Sequence, residues 1–301
     1  MKQAILNVSG EILKHPDNRV PRISVMDRAY LYGDSLYEVI RTYQGKIFGM
    51  QDHLERLEAS AKLARFKKFP AIKEWAIQIE RTFEAFKKSM PDTDAYLRLI
   101  VSRGAGRIGF AQECIEVPFP YIILAQPLEL PSEQTLAQGF HMRVVERLRN
   151  HPQALDPAMK SGNYLNSVLA YLEGTEDFDK GASPLPIIDA LICNADGHVT
   201  EGTTFNVFYV KRGIVVTSPL DIGILDGLTR RHLIRLCREN AIPVREVRFP
   251  ADRFYEADEV FLASTIKEAF PITWINGKKI GNGKPGPVTL ADIRSGEPMG
   301  Q

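Results

Sequence analysis

The stretch AMKSGNYLNS, residues 158–167, places one lysine, Lys160, among small and hydrogen-bonding side chains. Gly162 permits close approach of the backbone, and Tyr164 supplies a phenol able to steady an anionic oxygen. Most lysines are solvated surface groups, which is the ordinary interpretation of this one. An amine kept partly dry in this setting would instead be able to form a Schiff base with a carbonyl. Lys160 is therefore the first candidate catalytic residue.

The second candidate is Glu201, in the stretch DGHVTEGTTFNVFYV. It stands between a predicted turn and the polar residues Thr203, Thr204 and Asn206, which lead into an apolar strand. The ordinary interpretation is a solvated acid at a strand end. A carboxylate in this position can also face a pocket, where it would hold a pyridine nitrogen in the protonated form.

Two segments have the features of anion-binding helices. In GILDGLTRRHLIRL, Gly227 ends a loop and Thr229 is predicted to cap a helix, whose first N–H groups would point at an anion. In DHLERLEAS, Arg56 supplies a guanidinium, and the alternative is an exposed cation paired with Asp52 or Glu55. Each signal is weak alone, because many capped or charged helices share it.

Ser264 and Thr265 in FLASTIKEAF end an apolar strand and add two hydroxyl groups. Together, the candidates supply an amine for a Schiff base, a carboxylate for a ring nitrogen and several anion donors on separate segments. Pyridoxal phosphate requires this set, since it acts as an electron sink with a protonated ring and a held phosphate. The conjunction predicts pyridoxal 5′-phosphate as the cofactor and no metal ion.

The elements that position these residues follow from hydrophobic periodicity. AILNVSGEIL reads as strands with a glycine turn, and SLYEVIRTYQGKIFGM as a hairpin around Gln44 and Gly45. From Asp52, a predicted cap, apolar residues recur at helical spacing. A second helix is predicted through Trp75 and Phe83.

The chain beyond these helices predicts a second domain. DAYLRLIVSRG and PFPYIILAQPLEL are strand candidates, and PLELPSEQ is the predicted connection. We therefore predict a small N-terminal α+β domain over 1–125, a linker over 126–135 and a larger domain over 136–301. The latter begins with a strand pair in FHMRVVERL, continues with a helix over 165–173, and has later strands turning at Asp196–Gly197 and Arg212–Gly213. The fold class is mixed, largely antiparallel α+β.

Composition narrows the function classes. Basic and acidic residues nearly cancel, at 38 against 37 with a net charge of +1, so no global field favours nucleic acid or an anionic membrane. Cys114, Cys193 and Cys237 lack the paired spacing of disulfides or a zinc site. MKQAILNVSGEIL lacks a signal-peptide run, and no segment approaches the ~20 apolar residues of a membrane span. We expect a cytoplasmic protein that acts on small molecules.

Five collinear stretches resemble the class IV aminotransferases, pyridoxal-phosphate enzymes of fold type IV. They are DRAYLYGDSLYEVIRTYQGKIFGMQDHLERLEASAKLA, KSGNYLNSVLA, DGHVTEGTTFNVF, GILDGLTRRHLIRL and ADEVFLASTIKEAFPIT. The resemblance implies the two-domain, D-amino-acid-aminotransferase-like fold and ping-pong transfer of an amino group from an amino acid to a 2-oxo acid. It implies that Lys160 forms the Schiff base, Glu201 pairs with the pyridine nitrogen and Tyr164 approaches the ring hydroxyl. The implied phosphate and ring contacts are Arg56, Leu228, Thr229, Ser264, Thr265 and, on the ring face, Leu225.

The substrate signals in the resemblance are divided. Tyr96 and Arg98 match the Tyr-x-Arg of branched-chain aminotransferases, and GKPGPVT also resembles that subgroup. Tyr-Glu-Val over residues 37–39 and Ser-Thr-Ile over 264–266 instead resemble D-amino-acid aminotransferases, although the carboxylate-binding Arg and His of those enzymes are matched only by Arg107 at altered spacing. We favour L-leucine, L-isoleucine or L-valine with 2-oxoglutarate. The substrate-binding candidates are Tyr32, Tyr37, Tyr96, Arg98, Arg107 and Ile266.

The resemblance leaves two alternative functions open and also implies an oligomeric state. Aminodeoxychorismate lyases share the lysine, the glutamate and the fold, but eliminate pyruvate; Tyr96 and Arg98 weigh against that activity. The second alternative is a catalytically inert binding protein with the same fold. Family members are generally dimers or larger, so we expect at least a homodimer. Residues 27–34 and 103–110 are then expected to reach the neighbouring subunit's site.

Overall fold

A computed structural model describes residues 3–16, 21–176 and 184–294. The chain divides into two compact units. Among the described residues, the first comprises the chain up to Glu129 and the short segment Met159–Asn163, and the second comprises Leu130–Ala158 and the chain from Tyr164 to Arg294. The sequence-based division put Lys160 in the larger domain, whereas its segment groups with the first unit because its backbone hydrogen-bonds to a strand there.

The first unit contains eight strands and three α-helices among the described residues. In chain order they are β1 (Ala4–Val8), β2 (Glu11–His15), α1 (Arg28–Tyr32), β3 (Ser35–Tyr43), β4 (Lys46–Ile47), α2 (Met50–Leu63), α3 (Ile72–Ser89), β5 (Ala95–Ser102), β6 (Gly104–Gly106), β7 (Ile115–Pro118) and β8 (Tyr121–Pro127). Six of the strands form an antiparallel sheet in the order β2-β1-β8-β5-β3-β4. The predicted strands on either side of Gly10 and the predicted hairpin around Gln44 and Gly45 are both confirmed.

The core of the first unit lies between this sheet and helices α2 and α3. Leu36 and Ile40 alternate along β3 and pack with Leu57 and Ile79 of the two helices, because every second strand residue faces the same side. The helix through Trp75 is confirmed. The predicted cap of α2 is wrong: the N-cap is Gly49, whose positive φ of 61° turns the chain, and Asp52 lies in the first turn instead.

The second unit contains nine strands and five α-helices among the described residues. In chain order they are α4 (Glu133–Gln138), β9 (Phe140–Leu148), α5 (Leu165–Thr175), β10 (Ile187–Cys193), β11 (Val199–Gly202), β12 (Asn206–Lys211), β13 (Ile214–Thr217), α6 (Leu228–Glu239), β14 (Val244–Glu246), α7 (Arg253–Glu256), β15 (Glu259–Ser264), β16 (Glu268–Ile275), β17 (Lys278–Lys279) and α8 (Pro287–Arg294). The strands form one sheet in the order β11-β10-β9-β16-β15-β12-β13-β14, with β17 beside β16.

This sheet confirms a mixed, largely antiparallel α+β class. The pairs β9–β10, β9–β16 and β13–β14 are parallel and the others antiparallel. The predicted turns at Asp196–Gly197 and Arg212–Gly213 join β10 to β11 and β12 to β13. The expected strand pair in FHMRVVERL is wrong, since this stretch is the single strand β9, whose partners come from later in the chain. None of the described helices is both long and apolar enough to span a bilayer.

Candidate active site

The backbone of Lys160 is fixed beside strand β3 of the first unit. Its carbonyl oxygen accepts a hydrogen bond from the Tyr37 amide at 3.0 Å, and its own amide donates to Ser60 Oγ at 3.2 Å. The Gly162 amide donates to the Ser35 carbonyl at 2.8 Å. The segment thus behaves as a short added strand at the edge of β3.

Gly162 allows this added strand to lie so close to β3. A Cβ atom at this position would overlap Ser35 Oγ, and Ser35 is itself buried. The next residue, Asn163, donates from its side chain to the Gly33 carbonyl at 2.8 Å. The small residue beside the lysine therefore has the role expected from the sequence, which is close backbone approach.

The Lys160 side chain lies against the aromatic ring of Tyr37. Its half-buried amine donates to the Tyr37 hydroxyl at 3.2 Å and lies 4.4 Å from the ring centroid. The Arg98 guanidinium also lies 4.4 Å from that centroid, and its Nη1 donates to the Tyr96 hydroxyl at 3.4 Å. The pairing of Arg98 with Val39, two residues beyond Tyr37, puts these side chains on one face of the sheet. We call Lys160, Tyr37, Tyr96 and Arg98 the lysine cluster.

A second group, here called the buried triad, consists of Glu38, His53 and Arg56. Arg56 Nε and Nη2 donate to the two Glu38 carboxylate oxygens at 2.8 and 2.7 Å, and His53 Nδ1 lies 2.8 Å from Glu38 Oε2. Glu38 is 0% exposed and Arg56 only 7%. The interpretation of Arg56 as an exposed cation paired with Asp52 or Glu55 is therefore wrong, because this face of α2 points towards β3.

Burial and the charge of Arg56 decide the ionisation of the buried triad. Burial raises the pKa of the Glu38 carboxyl, but the Arg56 charge and the hydrogen bonds from Arg56 and His53 outweigh it, so this pKa lies well below its usual range. Burial lowers the pKa of His53, so the ring is neutral at neutral pH. A neutral ring beside a carboxylate carries its proton on Nδ1, which therefore donates to Glu38.

Tyr32 and Arg107 lie elsewhere in the first unit. Tyr32 ends α1, and its ring centroid lies 5.2 Å from that of Phe110. Arg107 is exposed on the segment that joins β6 to β7, where it donates to the Glu113 carbonyl at 2.8 Å and pairs with Glu116 at 3.5 Å. Among the described contacts, neither joins the lysine cluster.

In the second unit, Glu201 is the centre of a set of donors. It lies on β11, is 4% exposed rather than solvated, and accepts two hydrogen bonds on Oε1 from Arg149, at 3.0 Å from Nε and 2.7 Å from Nη2. Its Oε2 accepts from the Leu225 amide at 3.1 Å and from Asn206 Nδ2 at 3.3 Å. We call Glu201, Arg149, Asn206 and Leu225 the acid cluster.

The N-terminus of α6 adjoins the acid cluster. Gly227 is the N-cap and offers no side-chain cap, and a Cβ atom there would overlap Asn206 Oδ1. The prediction that Thr229 caps the helix is wrong, since Thr229 is its second residue. The first amides of an α-helix, here those of Leu228 and Thr229, have no partner within the helix and favour an anion.

The Ser264–Ile266 segment lies at the same end of the sheet. It forms the turn between β15 and β16, all three residues are half-buried, and Ser264 Oγ accepts from the Lys267 amide at 3.1 Å. The register pairs Asn206 of β12 with Ala263 of β15. This pairing brings the two hydroxyl groups to the strand end that also carries Asn206.

Tyr164 begins helix α5 and is linked to the acid cluster through its neighbours. It is the N-cap of α5 and is half-buried. Two residues later, Asn166 accepts a hydrogen bond from Arg149 Nη1 at 3.3 Å and donates to the Leu148 carbonyl at 2.9 Å. The start of α5 is therefore fixed to the arginine that holds Glu201.

Sequence reasoning missed Arg149, Glu38, His53 and Ser60. The only available signal was general: a buried acid or arginine needs a partner of opposite charge. The stretch ERLRN contains two arginines, and no pattern distinguishes Arg149 from Arg147.

Comparison with known proteins identifies the family. Residues 35–275 match the family described as amino-transferase class IV. The branched-chain-amino-acid aminotransferase of Escherichia coli K12 is 31% identical over 292 residues, covering 93% of this chain and 88% of that protein. A Methanocaldococcus jannaschii protein with a provisional assignment as a branched-chain-amino-acid aminotransferase is 34% identical, with coverages of 92% and 90%.

Solved structures agree with this match. The T.th. branched-chain amino acid aminotransferase with pyridoxamine 5′-phosphate superposes with a TM-score of 0.82 at 26% identity, covering 97% of this chain and 92% of that one. The same protein complexed with N-(5′-phosphopyridoxyl)-L-glutamate gives a TM-score of 0.81. The chain belongs to the class IV aminotransferases. It is an aminotransferase with the two-domain α+β fold of that family, and the predicted family and fold are confirmed.

Proposed function

We propose that this aminotransferase moves the amino group of L-leucine, L-isoleucine or L-valine to 2-oxoglutarate with the help of pyridoxal 5′-phosphate bound through Lys160. The observation that carries this assignment is the lysine cluster, in which the Lys160 amine contacts Tyr37 while Arg98 and Tyr96 share that face of the sheet. The E. coli and T.th. relatives named for branched-chain substrates support it.

The residues present fit the cofactor. Class IV aminotransferases use pyridoxal phosphate, and the second unit offers a buried carboxylate at Glu201 and a helix N-terminus where Gly227 lacks a side chain that would fill the space beside Asn206. When bound, the cofactor supplies an aldehyde carbon for amines and a ring that delocalises negative charge. Arg56, Leu228, Thr229, Ser264 and Thr265 would hold its phosphate, Leu225 would pack on its ring face, and Tyr164 would approach its ring hydroxyl.

Lys160 and Glu201 have the central roles in this assignment. The freed Lys160 amine would act first as a general base and then as a general acid. It would take the proton from the substrate α-carbon and deliver it to C4′ of the cofactor. The Tyr37 hydroxyl would keep that amine within the lysine cluster. Glu201, which accepts two hydrogen bonds from Arg149, would pair with the ring nitrogen and keep a proton there.

The lysine cluster also suits the proposed substrates. Tyr37 and Tyr96 offer aromatic surface to a branched aliphatic side chain. Arg98 offers a planar cation to the second carboxylate of a dicarboxylic acceptor, which an aliphatic substrate lacks. One surface of this kind would accept both partners of the reaction in turn.

The test is a visible-absorbance titration of the cofactor-loaded protein with L-leucine, D-alanine and an (R)-amine in separate experiments. We expect L-leucine to bleach the band of the lysine-bound cofactor, and the other two donors to leave it. Lys160→Ala should lose this band and turnover together. Full activity in that variant would falsify the catalytic assignment.

A D-amino-acid activity is the second candidate function. It is favoured by Ile266 in the turn after Ser264 and Thr265 and by Val39 after Glu38, which resemble the D-specific enzymes. Bleaching by D-alanine in place of L-leucine would establish it. Release of pyruvate from aminodeoxychorismate without any acceptor would instead indicate the lyase activity.

We also propose that the protein is at least a homodimer. Helix α5 exposes an apolar stripe at helical spacing, with Leu165 69% exposed and Val168, Leu169 and Leu172 also exposed. Contiguous exposed apolar surface of this kind favours association. Light scattering should give at least twice the 33.8 kDa chain mass, and a monomer would contradict the assignment.

For the cellular location we propose the cytoplasm. The three cysteines all lie in the described part of the chain, form no disulfide bonds there, and have the irregular spacing usual in reducing compartments. Fractionation of cells that express the protein should recover it with cytoplasmic markers, and recovery with an oxidising compartment would contradict this.

A further inference from the structure

The buried triad of the first unit is not explained by folding alone. Glu38, His53 and Arg56 are almost completely excluded from solvent. Removing an ion pair from water is costly, and apolar residues of similar volume often give equal or greater stability. A buried pair with this geometry contributes more to orientation than to stability.

The geometry of the triad fixes the plane of the Arg56 guanidinium. Its Nε and Nη2 both donate to Glu38, at 2.8 and 2.7 Å, so the fork is bidentate and its plane is set by the carboxylate. His53 holds the other side of Glu38 Oε2 at 2.8 Å. The Glu38 carboxylate therefore has little freedom to rotate. Because the Arg56 guanidinium is bound to both of its oxygens, the guanidinium also has little freedom to rotate.

The charges agree with this geometry. Arg56 carries a positive charge, the pKa of Glu38 is held low by the Arg56 charge and its hydrogen bonds against the opposing effect of burial, and burial lowers the pKa of His53. The triad is therefore one anion, one cation and one neutral ring. His53 donates a hydrogen bond to Glu38 without adding a second charge that would compete with Arg56.

The positions of the three residues follow from two periodicities. Glu38 follows Tyr37 on β3, so the two side chains point to opposite faces of the sheet. His53 and Arg56 are three residues apart on α2 and lie on one helical face. Ser60 continues that face one turn later and accepts the hydrogen bond from the Lys160 amide. One face of α2 thus carries both the triad and a support for the lysine.

We propose that Glu38 and His53 are positioning residues, which hold the Arg56 guanidinium in the orientation that binds the phosphate group of the cofactor. This inference rests on the proposed function, in which Arg56 is a phosphate ligand. Glu38 and His53 act through Arg56 and touch no reacting atom.

The test compares two ligands that differ only by the phosphate. Cofactor-free protein is titrated with pyridoxal 5′-phosphate and, separately, with pyridoxal, and the absorbance of the lysine adduct gives each dissociation constant. For Glu38→Gln we expect the constant for pyridoxal 5′-phosphate to rise about tenfold, equivalent to ~1.4 kcal/mol, and that for pyridoxal to change less than about twofold. An equal rise for both ligands, or for neither, would overturn the proposal.

A double-mutant cycle separates positioning from general structural support. In an Arg56→Lys background the bidentate fork is absent, so Glu38→Gln should have no further effect on the constant for pyridoxal 5′-phosphate. A full tenfold loss in that background would show that Glu38 does not act through Arg56. His53→Gln should give a smaller loss of about threefold, again specific to the phosphate.

Controls cover the remaining outcomes. Glu58→Gln removes an exposed carboxylate on the same helix, whose partner is Lys62, and should change neither constant. If Glu38→Gln fails to fold, Glu38→Asp keeps the charge but shortens the side chain, and the same phosphate-specific loss is expected. Failure of the unaltered protein to form an adduct through Lys160 would overturn the proposed function, whereas an adduct insensitive to Glu38 would overturn this inference alone.

Discussion

Both units bury a carboxylate against an arginine, but the two pairs are built differently. In the buried triad, Arg56 binds both oxygens of Glu38, and a neutral His53 completes the shell. In the described contacts of the acid cluster, Arg149 donates to Oε1 of Glu201, and Oε2 accepts from the Leu225 amide and the Asn206 side chain. The first arrangement orients a cation through both oxygens of one carboxylate, whereas the second orients an anion through an arginine on one oxygen and two neutral donors on the other.

The largest effect is expected from breaking the pair in the acid cluster. Arg149→Met removes the guanidinium that donates two hydrogen bonds to the buried Glu201, which should lower the free energy of unfolding by about 3–5 kcal/mol. Urea unfolding measures this, and the double variant Arg149→Met with Glu201→Gln should recover part of the loss. Loss of under ~1 kcal/mol in the single variant would mean that the pair is solvated in solution.

The next effect comes from the two glycines that permit close approach, one in each unit. Gly162→Ala would overlap Ser35 Oγ, and Gly227→Ala would overlap Asn206 Oδ1. Each should lower the free energy of unfolding by about 1–3 kcal/mol, because nearby buried groups must move. A thermal scan of both variants measures the two losses of stability, so that they can be compared between the units. Gly45→Ala is not a suitable control because its positive φ adds strain of its own.

The buried triad should make the stability of the protein depend on pH. Folding lowers the pKa values of both His53, from 6.5, and Glu38, from 4.5, so the unfolded chain binds more protons as the pH falls through these values. The free energy of unfolding should therefore fall as the pH falls below about 6.5 and again below about 4.5. His53→Gln should flatten the first decline in urea midpoints measured between about pH 7.5 and 5. An unchanged slope would show that folding does not shift the pKa of His53.

The smallest effect is expected at the surface. Glu58 pairs with Lys62 on α2 with both side chains largely exposed, in contrast to Arg56 on the opposite face of the same helix. Lys62→Met should change the free energy of unfolding by no more than about 0.5 kcal/mol. A larger change would mean that the exposure of an ion pair on this helix does not predict its contribution to the free energy of unfolding.

Local patterns predicted much of the fold. The hairpin at Gln44 and Gly45, helix α3 and helix α5 follow from turn chemistry and periodicity alone. Both cap predictions failed for one reason: a glycine, Gly49 or Gly227, takes the cap position, and nearby polar residues lie inside the helix. Side-chain preference at a helix start is a weak signal where the backbone must turn sharply.

The partners of the charged residues could not be predicted. Arg149 and Glu201 are 52 residues apart, and Glu38 and Arg56 are 18 apart on a strand and a helix. Their pairing depends on strand register and on which helical face turns inward. Short-range sequence patterns contain no information on strand register or on the inward face of a helix. The sequence therefore indicated which residues could do chemistry, but not which residues hydrogen-bond to them.

The segment Met159–Asn163 belongs to the first unit, although the chain on either side of it belongs to the second. This has a consequence for producing the first unit as a separate fragment. A fragment ending at Glu129 would contain every strand of the first sheet yet leave the backbone groups near Leu36 without the bridge to Ser161. Exposed strand edges of this kind recruit other chains, so such a fragment should aggregate. Supplying the missing stretch as a synthetic peptide should restore solubility, by the same strand addition that seats the lysine in the intact chain.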